Sequence, residues 1–258
     1  MTLAPGLDSP PRTFLLIHLP PNLIRIPMRL SPPELQVALD IDSDIRTIAD
    51  LAARVHSAGV GIIEAGTPAI KRHGADSLIP ALRRAAPGAL IAADFKTMDA
   101  GDLEARIAFR AGADILAVLA IGNDEKVAEA MDEALRWDRL LLIDLIDCPN
   151  PTERIMQLKE LLGPASSRTI FCFHIGISLQ RKGMLIADKL EAIRLVKEAA
   201  HPCPLAVAGG IREGVAGDLV RAGADICIVG SAIYSSADPA ETARKILAEM
   251  RSVRSRTP

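Results

Sequence analysis

Ala89-Leu90-Ile91-Ala92-Ala93-Asp94-Phe95-Lys96-Thr97-Met98-Asp99-Ala100-Gly101-Asp102 is the stretch whose reading decides the fold. Its apolar run, Ala89 to Ala93, leads straight into charges at Asp94, Lys96 and Asp99. A strand of a parallel sheet is covered on both faces, so it reads as an unbroken hydrophobic run. The charges therefore stand where a buried strand leaves its sheet. Alternation along the strand puts Asp94 and Lys96 on one face and Phe95 on the other. Asp99 falls at the start of the next helical pattern, where aspartate makes a good cap. An ion pair at a strand end is one explanation. An array for acid–base and metal chemistry is the other.

Working outward, the same unit recurs: a short apolar strand, a polar loop, then an amphipathic helix. Strands are expected at 35–40, 60–65, 89–94, 114–119, 139–145, 168–174, 204–208 and 225–230. Helices are expected near 44–57, 75–85, 100–111, 124–136, 151–162, 187–200, 213–222 and 239–252. The phrase Ala-Gly-Ala-Asp at 111–114 returns at 222–225, and Ser57-Ala58-Gly59-Val60 resembles it. Each reads as a helix ending in glycine before a new strand. That count over residues 34–252 is the count of a single-domain (β/α)8 TIM barrel in the α/β class. A doubly wound sheet is the alternative, but no G-x-G-x-x-G follows the first strand.

With 258 residues the chain is long enough to bury a full core without disulfides. Hydrophobic residues make up 49% and aromatics only 3%, so that core must be aliphatic, as helix-covered strands allow. A net charge of −2 gives no electrostatic case for nucleic acid or an anionic membrane. Cys148, Cys172, Cys203 and Cys227 show neither C-x-x-C nor zinc spacing and read as reduced thiols of a cytoplasmic protein. Residues 1–33 are proline-rich, and their apolar run, Phe14 to Leu19, is too short to span a membrane. They read as an extension, either disordered or lying upstream of a start at Met28; residues 253–258 read as a tail.

In a barrel, chemistry belongs at the C-terminal strand ends. Those ends carry Asp40, Glu64, Asp94 with Lys96, Asp144, His174, Gly209-Gly210 and Gly230-Ser231, while strand interiors are almost wholly apolar. Helix capping accounts for one or two such groups, not for the set. Glu64 and Asp94 end neighbouring strands and suit Mg²⁺, a hard ion that takes oxygen ligands. Lys96, flanked by Asp94 and Asp99, is expected to stay protonated and to stabilise a developing oxyanion. His174 is either a hydrogen-bonded core residue or a general acid/base facing the carboxylates. The glycine turns after strands seven and eight suit a phosphate, with Arg212 either adding a contact or lying on the surface.

The motifs Leu35-Gln36-Val37-Ala38-Leu39-Asp40, Glu64-Ala65-Gly66-Thr67-Pro68, Ala93 to Gly101, His174-Ile175-Gly176 with Gln180, Ala206 to Ile211, and Ile228-Val229-Gly230 resemble those of the 3-hexulose-6-phosphate synthases. These belong with the orotidine monophosphate decarboxylase superfamily, marked by Asp-x-Lys-x-x-Asp. The resemblance implies a reversible, Mg²⁺-dependent aldol condensation of formaldehyde with ribulose 5-phosphate, with Mn²⁺ a possible substitute. It implies Glu64 and Asp94 as ligands of a metal that binds the enediolate, and Lys96 and Asp40 as contacts to substrate hydroxyls and the enediolate. It makes His174 the proton carrier, and Gly209, Gly210, Gly230 and Ser231 the phosphate cup. It also implies a homodimer in which Asp99 reaches the partner subunit's site.

Two other readings are carried forward. The 3-keto-L-gulonate-6-phosphate decarboxylases share the metal and lysine groups but tend to have Glu, Arg and Thr where this chain has Asp144, Ile177 and Ala208. Those three positions set the expected specificity. From another class comes a non-catalytic sugar-phosphate-binding barrel, which would not need the Glu64, Asp94, Lys96 and Asp99 set. The chain departs from the synthase pattern at Ser178, and at Ser231 or Ala232, where a glycine is common.

Overall fold

In the computed structural model, which describes residues 30–254, eight parallel strands close into a barrel in chain order. They are β1 (Glu34–Leu39), β2 (Ile62–Ala65), β3 (Leu90–Thr97), β4 (Ile115–Leu119), β5 (Leu140–Asp144), β6 (Thr169–His174), β7 (Leu205–Ala208) and β8 (Ile226–Val229). Strand β8 pairs back onto β1, with Gln36 opposite Ile228, so no sheet edge is left among them. The doubly wound alternative is thereby excluded. The expectation for the N-terminal extension lies largely outside the described residues, as does that for most of the C-terminal tail.

Every expected helix is present: α1 (Ile45–Ser57), α3 (Ala75–Ala85), α4 (Gly101–Ala111), α5 (Glu125–Arg136), α6 (Pro151–Leu162), α8 (Leu190–Ala200), α9 (Ala216–Arg221) and α11 (Pro239–Arg254). Three short helices at the C-terminal face were not expected: α2 (Thr67–His73), α7 (Ile177–Gln180) and α10 (Ser231–Tyr234). Each is about one or two turns long, too short for a 3.6-residue periodicity to show. Helix α1 illustrates the rest. The Asp44 carboxylate accepts from the Thr47 N–H at 3.0 Å, which caps it, and Ile48, Ala52 and Val55 bury one stripe. Burying Ile48 and Val55 contributes about 2 kcal/mol each. No helix among the described residues is long and apolar enough to cross a membrane.

Period-two alternation sorts the strand residues into two cores. One set, including Val37, Ile63, Ile91, Leu116 and Phe171, packs outward against the helices. The other, including Ile62, Ala92, Ile115, Leu142, Ile170 and Ala206, fills the barrel interior. Continuing the inward phase toward the C-terminal ends reaches Asp40, Glu64, Asp94, Asp144 and His174. The strands thus aim these groups at one another, above an apolar plug.

Candidate active site

Strand β3 does the least regular thing in the barrel. Its pairing with β4 jumps from Ala93 opposite Leu116 to Thr97 opposite Val118, so extra residues bulge out between them. Lys96 sits inside the bulge at φ 49°, a left-handed conformation that a lysine seldom takes. Bulges at barrel rims re-aim side chains, and here Lys96 turns into the mouth. Its Nζ lies 2.8 Å from Asp94 Oδ2 and 3.2 Å from Asp144 Oδ2. Burial opposes its charge, but Asp94 and then Asp144 outweigh that and hold Lys96 above the ordinary lysine range.

This corrects the sequence reading in one respect: the second carboxylate beside Lys96 is Asp144, not Asp99. Nor is Asp99 a helix cap. Ala100 precedes α4, no side chain caps it, and Asp99 is exposed. The cause is packing, because Gly101 lies against the backbone of Lys126 so closely that a Cβ would collide with it. That contact fixes where α4 begins.

Strands β5 and β6 are neighbours with Asp144 opposite Cys172, so His174 stands diagonally above Asp144. The His174 Nδ1 lies 2.9 Å from Asp144 Oδ2, and the Ile146 N–H donates to Oδ1 at 3.0 Å. Burial alone would raise the Asp144 pKa; the bonds and charge of His174, with Lys96, overturn that and lower it. Asp144, expected only to set specificity, is therefore the anion that holds both Lys96 and His174. With Nδ1–H donating to the carboxylate, His174 keeps Nε2 as its free basic nitrogen.

Three carboxylates face each other at the other side of the mouth. Ligand oxygens of Asp40, Glu64 and Asp94 all lie within 4.8 Å of one another. Glu64 and Asp94 are each only 6% exposed, while Asp40 keeps an edge toward solvent. Burial first, then the charges of Asp94 and Asp40, pushes Glu64 well above the usual carboxylate range. Asp40 is raised too, by burial and then by Asp94, with Lys96 and His174 offsetting part of it. Such crowding is what a divalent cation relieves. Asp94 fits that use: Oδ2 is taken by Lys96 and the Thr67 hydroxyl at 2.8 Å, while Oδ1 is buried with no hydrogen-bond partner. An all-oxygen donor set suits a hard ion. The resemblance implies Asp40 as a substrate contact; its carboxylate also joins this cluster.

A cavity of about 420 Å³ joins the two sides. Its wall includes the expected Asp144, Ile177 and Ala208, and the expected phosphate turns Gly209-Gly210 and Gly230-Ser231. Gly209 and Gly210 have φ of 122° and 71°, and a Cβ on Gly209 would sit 2.7 Å from the Ile175 carbonyl oxygen, so that turn needs glycine. Arg212 is exposed and does not line the cavity. Gln36, Thr67, Gln180 and Tyr234 do line it, and composition and spacing had not singled them out for a role. Gln36 was legible in principle, because it is a polar residue in the inward phase of an apolar strand. Thr67 and Tyr234 belong to the short helices that periodicity misses.

A family model described as "Orotidine 5'-phosphate decarboxylase / HUMPS family" matches residues 33–246. The 3-hexulose-6-phosphate synthase of Mycobacterium gastri is 36% identical over 215 residues, covering 83% of this chain and 98% of that protein. The crystal structure of 3-hexulose-6-phosphate synthase from Salmonella typhimurium superposes with a TM-score of 0.77 at 30% identity, covering 85% of this chain and 99% of that one. A 3-keto-L-gulonate-6-phosphate decarboxylase from Vibrio cholerae shares the fold at 23% identity and a TM-score of 0.70, with 86% and 99% covered.

Proposed function

Starting from the family to which this chain belongs, the orotidine 5'-phosphate decarboxylase/HUMPS family and within it the 3-hexulose-6-phosphate synthases, we propose its reaction in full. The chain is an enzyme of the lyase type. It joins formaldehyde to D-ribulose 5-phosphate, reversibly, to give D-arabino-hex-3-ulose 6-phosphate. The observation that carries this is one cavity holding a three-carboxylate cradle, a clamped lysine and an Asp-oriented histidine.

The residues divide the work as follows. The glycine turns after β7 and β8 receive the phosphate on backbone N–H groups, leaving the hydroxyketone end of the sugar among the charged groups. His174 Nε2 takes a proton from C1 of the ketose, Asp144 steadying the imidazolium that forms. The resulting enediolate carries negative charge that Lys96 faces directly. Its C1 then attacks the formaldehyde carbon, the C=O pair moves onto oxygen, and His174 returns the proton there. Asp40 accepts from a substrate hydroxyl and fixes its orientation. Asp40, Glu64 and Asp94 would hold Mg²⁺, or Mn²⁺ in its place, which supplies Lewis-acid stabilisation of the same charge. Ile177, 63% exposed on α7, offers no cation for a sugar-acid carboxylate, which favours the aldol reading over decarboxylation.

The working unit is a homodimer in which Asp99 serves the partner's site. Asp99 is exposed and does not line its own cavity, and Met98 and Leu103, close to it in sequence, are exposed too. Four free thiols suit a cytoplasmic setting. Formaldehyde consumption with ribulose 5-phosphate and Mg²⁺, abolished by EDTA, tests the reaction. No consumption at any metal concentration refutes it, and CO₂ release from 3-keto-L-gulonate 6-phosphate would point to the decarboxylase. Mixing inactive Asp99→Ala and Lys96→Ala proteins should restore activity through mixed dimers; failure to restore any would remove the shared site.

A further inference from the structure

We infer that Gln36 is a positioning residue whose side-chain amide fixes the Glu64 carboxylate for divalent-cation binding, an inference that rests on the cation reading above. Gln36 is 1% exposed and lies in the barrel interior, one inward step below the acidic cradle. Its register neighbours are Ile62 on β2 and Ile228 on β8, so it is a polar amide within an apolar plug. Burying an amide there is costly unless it is hydrogen-bonded. Its Nε2 donates to Glu64 Oε2 at 2.5 Å.

From the side of Glu64 the same bond is singular. Among the described residues it is the one hydrogen bond the Glu64 side chain makes, and no cation pairs with it. Asp94, by contrast, is held by Lys96 and Thr67, and Asp144 by Lys96, His174 and the Ile146 N–H. Glu64 thus depends on Gln36 for its orientation. With Oε2 tied to Gln36, the carboxylate is held where one of its oxygens lies within 4.8 Å of those of Asp40 and Asp94. The Gln36 Oε1 is buried and has no hydrogen-bond partner, so packing alone does not account for an amide here. An apolar side chain would fill the interior layer without leaving an orphaned acceptor. Partners behind a metal ligand hold its geometry, and losing one typically costs about 10–100-fold in metal affinity.

The test uses the full chain and reads Mn²⁺ binding by titration calorimetry, with turnover recorded separately. Gln36→Met keeps the length and unbranched shape but cannot donate, and Gln36→Leu is the second variant should the first not fold. Thermal unfolding in EDTA certifies the fold. Mn²⁺ affinity should fall about 10–100-fold, with turnover recovering at high metal. In a Glu64→Gln background the Gln36 substitution should change affinity little further, because the two act as one unit. Affinity within twofold of wild type in a folded variant overturns the inference, as does an undiminished effect in the Glu64→Gln background. If the unmodified protein binds no Mn²⁺, the cation reading falls and takes this inference with it. If it binds Mn²⁺ and only the variant result is negative, the cation reading stands alone.

Discussion

The two ends of this barrel carry similar numbers of acidic groups and treat them in opposite ways. At the N-terminal end, Asp114 receives the Ile91 N–H at 2.9 Å and pairs with Arg83 and, at 3.5 Å, with Arg139. Asp225, its counterpart in the repeated Ala-Gly-Ala-Asp phrase, receives the Leu205 N–H at 2.7 Å and pairs with Lys197 at 2.5 Å. Asp138 pairs with Arg168. Each of these carboxylates has its own cation, and two of them also bind the backbone of a preceding strand. At the C-terminal end, Asp94 and Asp144 share Lys96, Asp144 also holds His174, and among the described residues no cation pairs with Asp40 or Glu64. One end lowers energy with its charges, and the other gathers repulsion that protons or a bound cation would relieve. That division matches the separation of stability and chemistry expected of the fold.

The comparison breaks first at Asp94. Replacing it with Asn should cut turnover by on the order of 10³-fold or more, while a phosphate ester still binds by calorimetry and the protein stays folded. Unchanged turnover would remove Asp94 from the cradle. His174→Gln comes next, with a loss of about 10²–10⁴ in turnover and little change in melting temperature. A matched loss of stability would make His174 a core residue after all, the alternative that its apolar run left open.

At the opposite end the signs exchange. Asp114→Ala should lower stability by about 2–3 kcal/mol, since it strips a charged hydrogen bond and leaves Arg83 without its carboxylate. Turnover per folded molecule should hold. Chemical denaturation and active-site-normalised kinetics separate the two, and a selective loss of turnover would defeat the division of labour.

How much of this was legible in the sequence depends on which physical signal carried it. Apolar runs and the recurring glycine–aspartate punctuation specify the barrel, because parallel strands cannot be hydrophobic on both faces without helices to cover them. Period-two alternation then predicts that Asp40, Asp94, Asp144 and His174 converge, since each continues an inward-facing series. Pairings were less accessible. Lys96 meets Asp144 only because a bulge turns it in a left-handed conformation, and no composition rule announces that. The Asp99 cap failed because a tertiary contact, Gly101 on the Lys126 backbone, overrides local capping preference. In sequence the repeat at 111–114 and 222–225 signals helix termination; in the structure its aspartates are also the ties of the stable end.

The smallest effect distinguishes the ends by proton linkage. In metal-free protein Glu64 and Asp40 have raised pKa values, so each holds its proton to higher pH when folded than when unfolded. The stability they contribute is fully present below their unfolded values of 4.5 and 3.8, and is lost as pH rises through their folded values. Asp144 runs the other way: lowered, it contributes stability above 3.8 that is lost as pH falls through its folded value. A divalent cation held by the cradle would bind its ionised form and displace those protons, so its stabilising effect should grow with pH across the same window. Melting temperatures with EDTA and with saturating Mg²⁺, taken from about pH 5 to 8, should therefore diverge as pH rises. Glu64→Gln should flatten the divergence and raise metal-free stability by about 1 kcal/mol, because it removes a buried like charge. A constant gap at every pH would mean that the metal binds without touching Glu64 or Asp40, and the repulsion at the C-terminal end would then have some other purpose.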